Sequence, residues 1–143
     1  MPQVANIVDK QLLEVPIAAP GPNDPNRMFI CTGKLQINFW VSESNGQAVE
    51  KTFTALIQPD PPLAARQFHR AVATASVAKF QIGDYQPPAS DSFQIGVEEA
   101  QADLDDETHQ AELRVTVTAM TTGPGTQVSI LEVAFQVTIL ARI

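Results

Sequence analysis

Between residues 28 and 41 every second position is apolar or small: Phe29, Cys31, Gly33, Leu35, Ile37, Phe39 and Val41. The positions between them include Thr32, Lys34, Gln36 and Asn38. Side chains of a strand alternate between two faces, so this pattern describes a strand with one face on a core and the other in water. The alternation recurs at Ala111, Leu113, Val115, Val117 and Ala119, and again at Leu131, Val133, Phe135, Val137 and Ile139. A chain patterned in this way is committed to sheets. What remains open is which strand lies beside which.

Register follows from matching apolar faces, because a one-residue slip turns every side chain over. Ser44-Asn45-Gly46 predicts a hairpin between residues 28–41 and a strand near 48–58. A three-residue loop pairs Val41 with Val49, Ile37 with Phe53 and Leu35 with Ala55, which keeps apolar side chains together. Residues 93–142 read as a three-strand meander. A turn over 105–108 pairs Leu104 with His109 and Ala102 with Ala111, and Gly123-Pro124-Gly125 turns strand 111–119 back on strand 127–141. The apolar parity changes at Glu98-Glu99. A β-bulge there would restore it and set both glutamates opposite Arg114.

One segment breaks the strand pattern. Asp60-Pro61-Pro62 offers an N-cap followed by proline in a first turn. Ala64, Phe68, Ala71, Ala75 and Ala78 then share one helical face, so residues 63 to about 76 read as a helix packed on the sheet. Residues 79–85 read as a short strand. At the other end Pro16, Pro20, Pro22 and Pro25 exclude helix and remove ladder donors. Residues 1–27 therefore read as an extended, proline-rich N-terminal arm, and residues 28–143 as a single β-rich domain. The fold class expected is α+β or mainly β: an antiparallel sheet of about five to seven strands, one packed helix and the arm. The alternative is a β-sandwich or a partly closed barrel.

Composition narrows function mainly by exclusion. The formal net charge of -7 repels phosphate backbones and anionic lipid surfaces, so neither nucleic acid nor membrane is an expected partner. No apolar run approaches the length of a membrane span. The first fifteen residues lack the basic and apolar regions of a signal peptide, which implies cytoplasmic synthesis, with a virion or other assembly as one destination. Cys31 is the sole cysteine and alternates with apolar neighbours, so it reads as a small core residue and not as a reactive thiol.

Candidate chemistry is sparse. Eight acids and no Lys or Arg fall between Asp91 and residue 112, apart from the neutral stretches separating them. Asp103, Asp105 and Asp106 bunch at a hairpin tip and are weak candidates for a cation. They lack the spaced ligands, central glycine and terminal glutamate of a calcium loop, and aspartates are common in turns for local hydrogen-bonding reasons. Glu98 and Glu99 are explained by a salt bridge to Arg114 without invoking acid–base catalysis. His69 and His109 have no metal-ligand spacing. No nucleophile elbow, phosphate loop, dinucleotide fingerprint or zinc motif occurs, so no cofactor and no catalytic residue is expected.

Surfaces carry more signal. The last strand has Val128, Ile130, Ala134 and Leu140 on its even positions, which makes both faces substantially apolar. Such a strand is out of place in an open one-sided sheet unless something covers it. Trp40 falls on the polar parity of its strand and has the character of an interface anchor. Trp40, Ile130 and Leu140 are thus the interaction candidates. Together these features favour a non-catalytic structural or assembly subunit of a shell, tail or filament, acting through protein–protein contacts in a homo-oligomer or larger assembly. A small apolar-ligand-binding module and an enzyme with a dispersed site are the alternatives.

Overall fold

The alternating stretches all form strands in the computed structural model, which describes residues 2–42, 45–57, 63–82, 92–105, 110–122 and 126–143. The strands are β1 (Gln3–Val4), β2 (Asn6–Pro16), β3 (Arg27–Ser42), β4 (Val49–Leu56), β5 (Phe68–Ile82), β6 (Ser92–Leu104), β7 (Ala111–Thr122) and β8 (Gln127–Ala141). They make two four-stranded sheets. Sheet A has the order β1-β4-β7-β6 and sheet B the order β2-β3-β8-β5. Of the pairings among the described residues, only β1 with β4 is parallel.

The packed helix expected over 63–76 is not there. Among the described residues the helical content is one 3-10 turn, Ala65–Gln67, and the segment after it is strand β5. Ala71, Ala73, Ala75 and Val77 lean on the core while Val72, Thr74 and Ser76 face water. Alanine favours helix by less than a kcal/mol over most residues, and a shared core face outweighs that preference. The alanines have a use here. They let β5 approach β6, which presents Ala100 and Ala102 on its own inner side, and the two backbones come within 8 Å. The N-cap candidate Asp60 lies outside the described residues.

The expected hairpins of β3 with β4 and of β7 with β8 are also overturned. β3 pairs with β2 and β8, whereas β4 pairs with β1 and β7. Each predicted partner sits in the opposite sheet. Ile37 and Phe53 do both face the core, but across it. Asn45 and Gly46 adopt φ of 55° and 78° and turn the chain between sheets, with the Gly46 N–H donating to the Thr121 carbonyl at 2.8 Å. The positive φ at both positions is why Asn-Gly suits this corner as well as a hairpin. β3 and β4 in series run antiparallel to β8 and β7 in series, so the four form one long ribbon bent across both sheets.

The β6–β7 hairpin is present, two residues away from the expected register. Leu104 lies opposite Ala111 and Ala102 opposite Leu113. An even shift preserves the inward face, which is why parity alone did not distinguish the two. The bulge expected at Glu98-Glu99 is present as a register shift between Val97 and Glu99, but Glu99 lies opposite Thr116 and Gln101 opposite Arg114.

Side chains from both sheets fill the space between them. Leu35, Phe53, Leu113, Ile130, Val133 and Ile139 are fully buried there. At 25 cal/mol per Å2 each such side chain contributes about 1.5–3 kcal/mol of apolar burial. The N-terminal residues belong to this framework. β1 extends sheet A and β2 extends sheet B, and the proline-bearing link between β2 and β3 closes through Ile17 N–H to the Asn26 carbonyl at 3.1 Å. Asn26 then grips the end of β8: its Nδ2 donates to the Ile143 carbonyl at 3.0 Å and its Oδ1 accepts from the Ile143 N–H at 2.9 Å.

Candidate functional site: the outer sheet faces

The candidates from sequence scatter over the molecule. Ile130 is a core residue, with none of its surface in water. The reason is a parity change in β8. Val128 and Ile130 point inward, and so do Val133, Phe135, Val137 and Ile139. Register shifts at Gln36/Phe39 on β3 and at Val77/Lys79/Phe80 on β5 flank this change on both sides. The second apolar face expected of β8 thus dissolves in part: its first half is simply core. Leu140 remains outward and is half-buried between Met28 and Arg70.

Trp40 is outward and 56% exposed. β2 accounts for this exposure. Its pairing with β3 ends at Asn6 opposite Gln36, short of Trp40, whose described ladder neighbour is Ser129. The N-terminal strand therefore covers the first part of β3 and leaves the tryptophan uncovered.

Asp103 and Asp105 lie at the end of the β6–β7 hairpin, and Asp106 falls outside the described residues. The Asp103 carboxylate accepts the Leu104 N–H at 2.8 Å, a local bond. Beside it an open recess of about 440 Å3 is lined by Gln101, Leu104, Glu112 and Arg114 among others. Arg114 pairs with Glu112 at 3.7 Å, not with the bulge glutamates. Among the described residues no three His, Cys, Asp or Glu side chains come together as a metal-ligand set. Glu98 instead meets Glu50 across sheet A. Its pKa is raised by a side-chain hydrogen bond with Glu50, then by the Glu50 charge, slight desolvation and the Glu99 charge. Cys31 is fully buried, and burial pushes its thiol pKa up, away from the reactive range.

The two outer faces differ in kind. Outside sheet A, Thr52 and Thr116 face each other with hydroxyl oxygens 2.9 Å apart. Around them stand five carboxylates, Glu50, Glu98, Glu99, Asp103 and Glu112, with Arg114 as the lone cation among them. Lys51 is the other cation of sheet A, and it folds over the Phe53 ring at 5.6 Å. Outside sheet B one end is apolar. Leu13, Ile30, Thr138 and Val72 form a row across all four strands, and Val15, Met28, Leu140 and Arg70 form the next. Leu13 is 57% and Val72 53% exposed. A shallow recess of about 640 Å3 lies over Gln11, Leu13, Ile30 and Thr32. Further along come Lys34 and Lys79, with Glu132 between them and Lys34 4.0 Å from both Asp9 and Glu132.

Sequence reading missed this partition because it needs the assignment of strands to sheets. Of nine Lys and Arg in the chain, only Lys51 and Arg114 lie on strands of sheet A. Comparison with protein-family models, curated proteins and solved structures returned no match.

Proposed function

We propose that this chain is a non-catalytic assembly subunit, a component of a shell, tail or filament, whose working parts are its outer sheet faces. The observation that carries this reading is the apolar band across sheet B. Its two rows present Leu13, Val15, Met28, Ile30, Leu140 and Val72 on a continuous surface, with Leu13 and Val72 more than half exposed. Contiguous apolar surface of this kind is costly in water and is characteristic of protein contacts. The size suits that role. The whole outer face of sheet B, four strands about 4.8 Å apart and roughly twelve residues long, spans about 750 Å2, near the ~800 Å2 per partner of a stable interface, and the band occupies one end of it.

Static light scattering over a wide concentration range tests the proposal. The expected result is an oligomer that persists on dilution and is weakened by Leu13→Ser combined with Val72→Ser. A monomer at every concentration, unaffected by the double substitution, would overturn it.

A further inference from the structure

The chain carries a formal net charge of -7, yet its charge is not spread evenly. Among the described residues, the outer face of sheet A holds five carboxylates and one cation. On the outer face of sheet B stand Lys34, Arg70 and Lys79, against Asp9 and Glu132. Two copies meeting through sheet A would oppose carboxylate to carboxylate, and two meeting through sheet B would bring together faces that each carry a small excess of cations. Like charges placed opposite one another at a contact oppose association, and that cost falls on both symmetric arrangements.

We infer that the partner of the sheet B face is the sheet A face of a second copy, so that molecules stack head to tail through unlike faces. This rests on the assembly reading above and specifies its geometry. Spacing agrees with charge. On sheet B, Arg70 and Lys34 neighbour Leu140 and Ala134 of β8, six residues apart. On sheet A, Glu112 and Glu50 mark Glu112 and Thr118 of β7, also six residues apart. Strand rise converts each separation to about 20 Å, so two cationic points can meet two acidic ones at once. Between those points on sheet A stand the Thr52–Thr116 pair, whose hydroxyls bond to each other, and Arg114, whose charge Glu112 holds at 3.7 Å. A contact between unlike faces does not close on itself by two-fold symmetry. It propagates, to a filament or to a ring.

Complementation between two full-length variants tests the inference. One carries Lys34→Glu and Arg70→Glu, the other Glu50→Lys and Glu98→Lys. All four side chains are on outer faces, and circular dichroism with a thermal melt establishes that each variant keeps its fold; Lys34→Gln with Arg70→Gln serves as the milder form of the first. The expected result is that each variant alone loses association by about tenfold or more, and that mixing them restores it, because each supplies the face that the other requires. Wild-type association should weaken as salt rises through the range where the Debye length shrinks below about 10 Å. If the Glu50/Glu98 variant alone assembles like wild type, the contact is between like faces and the inference fails while the assembly reading stands. Loss in both variants without rescue on mixing also overturns it. A wild-type monomer overturns both.

Discussion

Gly33 shows at the scale of one residue how closely the neighbouring strands of sheet B are fitted. It occupies an inward position of β3 opposite Phe135. A Cβ built there would lie 3.0 Å from the Phe135 Cζ and 3.2 Å from the Val8 carbonyl oxygen, so both a ring and a backbone atom would have to yield. Gly33→Ala should therefore cost about 1–3 kcal/mol, as overpacking does, read as a lowered urea midpoint at unchanged slope. Adding Phe135→Leu should recover part of that loss; a strictly additive double variant would show that the ring is not the obstacle. Glu98 makes a different point. Its folded-state pKa lies above the ordinary 4.5, so the proton it holds with Glu50 favours the folded state below that pH and the benefit is lost as pH rises through the raised value. Glu98→Gln should flatten this part of the pH dependence. Melting temperatures of variant and wild type, compared at acidic and neutral pH, should differ least in acid, and an equal offset at both would disprove the linkage. Neither feature was legible in sequence. Gly33 keeps the alternation and reads as a small core residue, while Glu50 and Glu98 are brought together only by the order β4-β7-β6.

Among the elements, β8 shows what a period-two pattern can and cannot reveal. Parity told correctly which positions of residues 133–139 face inward. It misassigned Val128 and Ile130, because the strand changes face before Val133, and a single sequence gives no reason to expect the change in the middle of an apolar run. The structure makes the distinction measurable. Ile130→Ala should cost about 2–5 kcal/mol as a core deletion, whereas Leu140→Ala, at a half-exposed outward position, should cost about 1 kcal/mol or less. Comparable losses would show that the face change is absent. The same limit explains the hairpins. Alternation specifies the inward side of a strand and is silent about its neighbours, so β3 and β4 satisfy it equally well side by side or across the core. β5 fails for another reason: alanines at 71, 73 and 75 fit a helical stripe as readily as a strand face, and only the proximity of β6 decides.

For the whole molecule, the consequential fact is that the N-terminal residues are structural. β1 and β2 lie in different sheets, and Asn26 binds the end of β8. Heating should accordingly unfold residues 2–16 together with the rest in one transition, seen at the same temperature by far-UV and near-UV circular dichroism. A separate early loss of strand signal would mean that the arm is an appendage. The β-rich character was readable from sequence; strand β5, read as a packed helix, and the division into two sheets were not, and with that division the unequal distribution of charge stayed hidden. That distribution can be seen only when each strand has been given its sheet.

Sheet B has one further property, which concerns time. β8 follows β3 and β5 in the chain, yet it stands between them and supplies a ladder partner to each. While residues 127–141 are still to be added, β3 has β2 beside it but β5 has no ladder partner in sheet B. Until β8 is made, the edges of β3 and β5 that it pairs with are open to strands of another chain.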